Sequence, residues 1–191
     1  MSTMADAEIH SDDRLMRSGA LLANAGCLDD VVAVLRLTAR EIAGSDGVAI
    51  ILRDDDHCHY VDENAIEVLW KGQRFPLEAC VSGWAMLNDQ TVVVPDVSVD
   101  PRVPVAPYRT KDIRSLVMTP IGSPEPVAAL GAYWASMVIP DEQTLLRIAA
   151  LARQAGEALA QIRCSAGPPD VVLSRVRQGD IRTEARASQS R

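Results

Sequence analysis

Residues 75–104 read FPLEACVSGWAMLNDQTVVVPDVSVDPRVP. Glu78–Asn88 has helical composition despite Gly83, and Thr91–Val94 is a β-branched run halted by Pro95. The span from Asp96 to Thr110 carries Pro101, Pro104 and Pro107, which predicts a long irregular surface loop. A helix, a short buried strand and a long loop cannot make a core alone. They must lie on a sheet supplied by the flanking sequence, and what they cover there decides whether Cys80 and Trp84 are chemistry or packing.

Toward the N-terminus, Asp12–Ala25 has helix-forming composition. Leu28, Val31, Leu35 and Ile42 recur at helical steps until GSDG breaks the pattern at Gly44 and Gly47. Val48–Arg53 (VAIILR), the acidic turn at Asp54–Asp56 and His57–Val61 (HCHYV) predict a β-hairpin. In the second arm, alternation puts His57 and His59 on one face and Cys58 on the other. Residues 62–73 are expected to form a short helical turn and a loop ending at Gly72.

Toward the C-terminus, IRSLVMTPI and PVAALGAYWA read as two more strands around the turn GSPEP. From Pro140 a long helix begins, with Asp141 and Glu142 suited to its N-terminus. Leu145, Ile148, Ala152, Ala155, Leu159 and Ile162 step by three and four as a heptad seam. The seam fits packing against Leu28–Ile42 within the chain, or dimerisation. Strands grouped between terminal helices predict an α+β fold. Its antiparallel sheet carries the terminal helices on one face and, on the other, a pocket covered by loops and short helices. The expected organisation is a flexible segment at 1–14, one domain at 15–164 and a disordered, Arg-containing tail at 165–191.

Composition limits the function. Apolar residues at 48% and charged residues at 24% belong to a globular chain. A net charge of −7 argues against nucleic acid as a general partner. The acidic opening MSTMADAEIHSDDRL is unlike a signal peptide, and no apolar run approaches a membrane span. The expected location is the cytoplasm, where thiols stay reduced. Cys27, Cys58, Cys80 and Cys164 show no CxxC spacing, so no metal cluster is expected.

The order of these phrases resembles a GAF domain over about Leu15–Arg163. SDGVAIILRDDDHCHYVDE is similar to the first hairpin, SGWAMLNDQTVVVPDVSVDPR to the helix, strand and loop that wall the pocket, and YRTKDIRSLVMTPI with VAALGAYWA to the closing strands. VDENAIEVLWKGQRFPLEACVSGWAMLN and LGAYWA most resemble GAF modules of bacterial HWE-type sensor histidine kinases. The resemblance implies a non-enzymatic sensory domain that signals through its terminal helices to a partner such as a histidine kinase, commonly as a homodimer. Only 28 residues follow Arg163 and none is histidine, so this sequence is not expected to be a kinase itself.

Some GAF proteins reduce free methionine sulfoxide with a cysteine just before the glycine that here is Gly83. That position is Ser82, Cys80 lies two residues earlier, and the loop 96–110 holds no second thiol. Cys80 therefore reads as a small buried residue, with sulfoxide reduction as the alternative function. Cys58–His59 resembles the attachment dipeptide of bilin-binding GAF domains, but stands on the wrong element. No histidine is placed to ligate haem, and the cyclic-nucleotide arrangement is not found. Trp70, Trp84 and Tyr108, with Asp96, Arg109 and Arg114 nearby, are the candidate ligand residues, suited to a small anionic or planar molecule; Trp134 is the other large aromatic. The ligand or cofactor is not identified by sequence. A third reading is an interaction module whose pocket is vestigial.

Overall fold

The computed structural model describes residues 4–166. The elements are α1 (Met4–Ala23), α2 (Leu28–Ala43), β1 (Gly47–Asp54), β2 (His57–Ala65), β3 (Arg74–Pro76), a 3-10 turn (Leu77–Ala79), α3 (Val81–Asn88), β4 (Val92–Val94), α4 (Val105–Arg109), β5 (Ser115–Ile121), β6 (Ala128–Trp134) and α5 (Glu142–Ala166). Six antiparallel strands form one sheet in the order β3-β2-β1-β6-β5-β4. The α+β architecture expected from the sequence is the one observed.

Strand alternation divides the interior into two cores. Val48, Ile50 and Leu52 of β1, Val117 and Ile121 of β5, and Leu130, Ala132 and Trp134 of β6 face α1, α2 and α5. Ala49 and Ile51, Leu116 and Met118, and Ala129 and Tyr133 face the other way, toward α3 and the loops. The sheet is thus a partition with a helical layer behind it and the candidate site in front.

The heptad seam of α5 is spent inside this chain. Ile148, Ala152, Ala155, Leu159 and Ile162 are buried in the helix-side core, and Leu145 packs against it. Ala152 and Ala155 are small enough to bring α5 close to its neighbours. Substitutions at the seam therefore disturb this core. The N-terminus of α5 is capped by Asp141, whose carboxylate accepts the Thr144 amide at 2.7 Å.

Four sequence expectations are corrected. Residues 62–65 do not leave the sheet; they continue β2 against Gly47–Ile50, past a bulge between Ile50 and Ile51. The helix expected at Glu78–Asn88 is a 3-10 turn and then α3, separated by Cys80 in an extended conformation (φ −140°, ψ 156°). The loop after Asp96 contains the short helix α4, with Pro107 tolerated in its first turn. Finally, α1 starts at Met4, whereas the helical composition read from Asp12.

Two ion pairs hold α1 against the other helices. Asp12 accepts a hydrogen bond from Nε of Arg147 on α5 at 2.7 Å, and Arg147 is almost wholly buried. Arg14 forms a second ion pair with Glu41 of α2. A buried guanidinium needs a carboxylate, and α1 supplies it. Asp12→Asn is expected to lower stability by about 1–2 kcal/mol, because an uncharged amide leaves the Arg147 charge poorly compensated. Urea unfolding with an unchanged slope and a lower midpoint would register this. The expected tail lies mostly outside the described residues.

Candidate functional site

The site face of the sheet is set by short-range choices along β2 and β6. On β2, Cys58 and Tyr60 share the inward face while His57 and His59 turn outward, as the HCHY alternation predicts. On β6, Tyr133 faces the site and its neighbour Trp134 faces the helices, where its indole N–H donates to the Gly44 carbonyl at 2.9 Å. Trp134 thus belongs to the helix-side core and not to the ligand residues. Tyr60 and Tyr133, which the sequence reading did not single out, take the central positions instead.

Trp70 is placed by its own loop. The Glu63 carboxylate accepts the amides of Leu69, Trp70 and Lys71 at 2.8–2.9 Å, folding residues 66–71 back over the sheet. The Lys71 ammonium in turn donates to Asp62 at 2.6 Å. The Trp70 ring then meets Tyr60 at 5.7 Å, Tyr108 at 5.0 Å and Tyr133 at 5.6 Å between centroids, all edge-on. Phe75 meets Tyr60 at 5.4 Å. Edge-to-face contacts at these distances are favourable beyond the area buried. The Lys111 ammonium donates to the Val68 carbonyl at 2.8 Å, tying the Trp70 loop to the segment that carries Tyr108.

Residues 96–110 lie over this cluster as a cover. Val97, Val103 and Tyr108 point in and are buried. Asp96 caps the start, its carboxylate accepting the Ser98 amide at 2.8 Å and hydroxyl at 2.7 Å. Those bonds, with the Arg114 charge nearby, hold the Asp96 carboxyl below its ordinary range. Asp100 and Arg102 form a two-point ion pair, and the Arg102 guanidinium lies 5.1 Å from the Trp84 ring centre.

Of the six candidate ligand residues, Trp70 and Tyr108 join the buried aromatic cluster. Trp84 is half-buried at its rim, and Asp96 is occupied with its turn. Arg109 and Arg114 are exposed. The expected meeting of an arginine with an aromatic ring does occur, but through Arg102. Nothing in the sequence separated Arg102 from the other loop arginines except Asp100 two residues earlier.

Polar groups line the floor. Tyr60 Oη and Ser82 Oγ are 3.2 Å apart, and Ser82 Oγ lies 3.2 Å from Cys80 Sγ. The Tyr133 hydroxyl is buried without a hydrogen bond of ordinary geometry, the Tyr60 phenol acting on it only weakly. It occupies space that only glycine leaves open, since a Cβ on Gly131 would strike Tyr133 Oη and come within 3.0 Å of Met118 Cε. Burial, with the neighbouring phenols and Cys80 adding to it, pushes the phenols of Tyr60, Tyr108 and Tyr133 up, so all three are neutral at physiological pH. Because the Tyr133 hydroxyl already lacks an ordinary hydrogen bond, Tyr133→Phe is expected to leave stability unchanged or raise it by about 1 kcal/mol. A fall in the thermal midpoint would mean that the hydroxyl has a partner in solution.

The thiols are the chemically distinctive part. Cys58 and Cys80 are both buried in the site-side core, where the Cys80 thiol donates to the Pro76 carbonyl at 3.6 Å and lies 3.2 Å from the Ser82 hydroxyl. The resemblance implies a second thiol in the loop 96–110, which has none; the other buried thiol of this core stands on β2. The short strand β3 pairs Phe75 with Cys58 and Pro76 with His57, which returns the chain to that strand before Cys80. Cys80 precedes α3, and its thiol is pushed down to about 6. The Cys58 hydrogen bond is the largest cause, followed among the lowering effects by the Ser82 hydroxyl and the amides of Gly83 and Ser82, while burial opposes them. Cys58 is pushed up by the same partner and by burial. Cys27 and Cys164 are exposed. Among the described residues no group of three or more His, Cys, Asp or Glu side chains is arranged to hold a metal ion.

Comparison with known proteins places this architecture. None of the curated proteins matches the chain. The free methionine-R-sulfoxide reductase of Neisseria meningitidis, solved with its substrate, superposes with a TM-score of 0.70 at 23% identity, over 86% of this chain and 97% of that one. The GAF domain of an Acinetobacter phosphoenolpyruvate-protein phosphotransferase gives 0.69 at 15% identity, over 87% and 99%. The phycoerythrobilin-bound GAF domain of a cyanobacterial phytochrome gives 0.67 at 19% identity, over 81% and 96%. At these identities the likeness establishes the fold and leaves the chemistry to the residues. A family profile described as GAF domain matches residues 28–160, and the chain belongs to that family.

Proposed function

We propose that this chain is a sensory or regulatory GAF module that responds to a small molecule at the Trp70–Tyr108–Tyr133 cluster and passes the response through its helices. The observation that carries this reading is the buried Tyr133 hydroxyl, which lacks an ordinary hydrogen bond, among aromatic faces and the polar atoms of Tyr60 and Ser82. A buried polar atom without a partner is unfavourable, and a ligand that hydrogen-bonds to it recovers the loss. Admission requires the Trp70 loop and the 96–110 cover to part. Occupied and empty states then differ in the position of Tyr133, and a ligand can shift the balance only by binding them unequally.

A short path leads from site to output. Tyr133 faces the ligand side, and Trp134, the next residue, holds the carbonyl of Gly44 at the end of α2. A displaced β6 would move that end and, with it, the α2–α5 contact. We propose a homodimer as the receiving assembly, formed on the outer surface of the helical layer, where Met16, Leu21, Leu37 and Leu146 are exposed. A separate signalling protein such as a histidine kinase, in a cytoplasmic setting, is the proposed onward partner.

Native mass spectrometry of protein purified without denaturant tests the reading. The expected result is an added mass that disappears in a denaturing run and is diminished in Tyr133→Phe. Bare protein, with no saturable thermal stabilisation across a metabolite panel, would instead leave an interaction module with a closed pocket. A second reading, thiol-dependent reduction of a sulfoxide, is favoured by the Cys58–Cys80 pair and weakened by Ser82 standing where the resemblance expects the reactive cysteine. Unaltered turnover of free methionine sulfoxide by a Cys80→Ser protein would dispose of it.

A further inference from the structure

We propose that the bulged end of β2 is a lever between the Trp70 loop and α2, in which Asp62 passes from Lys71 of the loop to Arg36 of the helix when the loop parts. The bulge makes the arrangement possible. Ile51 pairs with Tyr60 and Ile50 with Asp62, so Val61 is the extra residue and the alternation of β2 changes phase there. Tyr60 faces the site before the bulge, and Glu63, opposite Ala49, faces it again afterwards. Asp62 and Asn64, opposite Ile50 and Val48, face the helices. In an unbulged strand Asp62 and Asn64 would stand on the site face and Glu63 on the helix face.

Three consecutive residues are thereby divided between two layers. On the site face, the Glu63 carboxylate carries the amides of Leu69, Trp70 and Lys71. On the helix face, the Asn64 side-chain amide donates to the Arg36 carbonyl at 2.9 Å, and its oxygen accepts from Arg40 Nη1 at 3.5 Å. Arg36 Nε stands 3.4 Å from the Asp62 carboxylate. Lys71 joins the two faces: its amide is on Glu63, and its ammonium reaches round the strand edge to Asp62 at 2.6 Å. β3 pairs with His57–His59 and stops short of this segment, which leaves the outer edge of residues 62–65 to the loop.

Asp62 thus stands between two cations that share it unequally. With Lys71 at 2.6 Å, Arg36 is left at 3.4 Å, longer than a charge-assisted hydrogen bond. When the loop parts, three amides leave Glu63 and the ammonium leaves Asp62. The Asp62 side chain is only 17% exposed, so water replaces the lysine poorly, and Arg36 is the cation already beside it. The contact to α2 then tightens on the face directly behind the site. The route through Tyr133 and Trp134 acts on α2 at Gly44; this one acts about one and two turns earlier, at Arg40 and Arg36. Its use as a signal rests on the sensory reading above, whereas the exchange of Asp62 can be followed without any ligand.

The test is made on the full chain by nuclear magnetic resonance. The Nε–Hε signal of Arg36, identified by its loss in Arg36→Lys, reports the contact with Asp62, and hydrogen exchange of the Leu69, Trp70 and Lys71 amides reports the loop. Lys111→Gln cuts the tie to the Val68 carbonyl without touching β2 or α2. In that variant the loop amides are expected to exchange faster, while the Arg36 Hε exchanges with water more slowly, on the order of threefold, as a gained surface ion pair allows. Lys71→Met is expected to produce the same change at Arg36 directly. Both lysines lie outside the two cores, so both variants are expected to fold. Adding Asp62→Asn to Lys111→Gln is expected to keep the fast loop and abolish the change at Arg36. An Arg36 signal unmoved in both lysine variants overturns the proposal, as does one that moves equally with Asp62→Asn present. Loop amides that stay slow in Lys111→Gln and in Glu63→Gln mean that the loop does not part, which overturns the lever and the ligand reading together. Tightening at Arg36 in a protein that carries no added mass in the native spectrum, and gains no stability from the metabolite panel, upholds the lever and removes the ligand reading. A bound small molecule with Arg36 unmoved does the reverse.

Discussion

Gly83→Ala is expected to destabilise the domain by about 3 kcal/mol, at the upper end of the usual range for an inserted methyl group. A Cβ on Gly83 would fall 2.5 Å from the carbonyl carbon of Leu77 and 3.0 Å from its Cα, and closer still to the carbonyl oxygen. These are backbone atoms. No rotamer change relieves the contact; the 3-10 turn or α3 must move. Neither is free to do so. Leu77, Val81, Ala85 and Met86 are buried in the site-side core, and the Leu77 amide donates to the Asp56 carbonyl at 2.8 Å. In a helix propensity argument alone, alanine would be the better residue by about 1 kcal/mol, so the sign of the result separates close approach from propensity. For a domain of this size the thermal midpoint should fall by roughly 6–12 °C. Because α3 carries Ser82 and follows Cys80, the same variant should raise the pH at which Cys80 becomes alkylatable. A more stable Gly83→Ala protein would mean that the 3-10 turn yields easily and does not fix the thiol pair.

The contrast between what the sequence disclosed and what it hid follows from the kind of signal each feature carries. The α+β plan was legible because the β1–β2 hairpin, the proline-stopped β4 and the long amphipathic α5 each have strong local patterns. The inward turn of Cys58 was legible for the same reason: HCHY alternates, and a half-exposed strand writes its faces into its residues. On β6 every residue is buried, so alternation of polarity vanishes and the faces of Tyr133 and Trp134 cannot be assigned from composition. The α5 seam announced a packed helix but not its partner, since Leu and Ala at heptad spacing serve an intrachain core and a dimer equally. Strand β3 was invisible. Three residues, one of them proline, carry no period, yet this strand is what brings Cys80 back to Cys58. The Trp70 loop depends on one carboxylate, Glu63, satisfying three amides in a segment whose strand character was masked by a bulge. Features that need two distant parts of the chain to be brought together could be seen only after folding.

The thiol pair makes a second, pH-dependent expectation that can be worked out in sign. In the unfolded chain both cysteines titrate near the ordinary cysteine value, about 8.5. In the folded domain Cys80 is pushed down to about 6, chiefly by the hydrogen bond from Cys58, and Cys58 is pushed up. The groups facing the pair are the Ser82 hydroxyl, the neutral phenols of Tyr60, Tyr108 and Tyr133, and the Arg53 charge acting on Cys58. As pH rises from about 6 to about 8.5, the folded state has released the Cys80 proton while the unfolded state holds both. The unfolded state binds more protons, so stability rises. Above about 8.5 the unfolded chain sheds both protons and the folded domain still keeps that of Cys58; the slope reverses. The pair is therefore expected to contribute most near pH 8.5, on the order of 3 kcal/mol, and to lose that contribution as pH falls through 6. Urea midpoints between pH 5.5 and 9.5, in the Cys27→Ser, Cys164→Ser chain with and without Cys58→Ser, isolate the effect, because carboxylates and histidines common to both proteins cancel in the difference. A difference curve with a maximum near pH 8.5 is the expected outcome. A flat one would mean that Cys80 is an ordinary buried thiol.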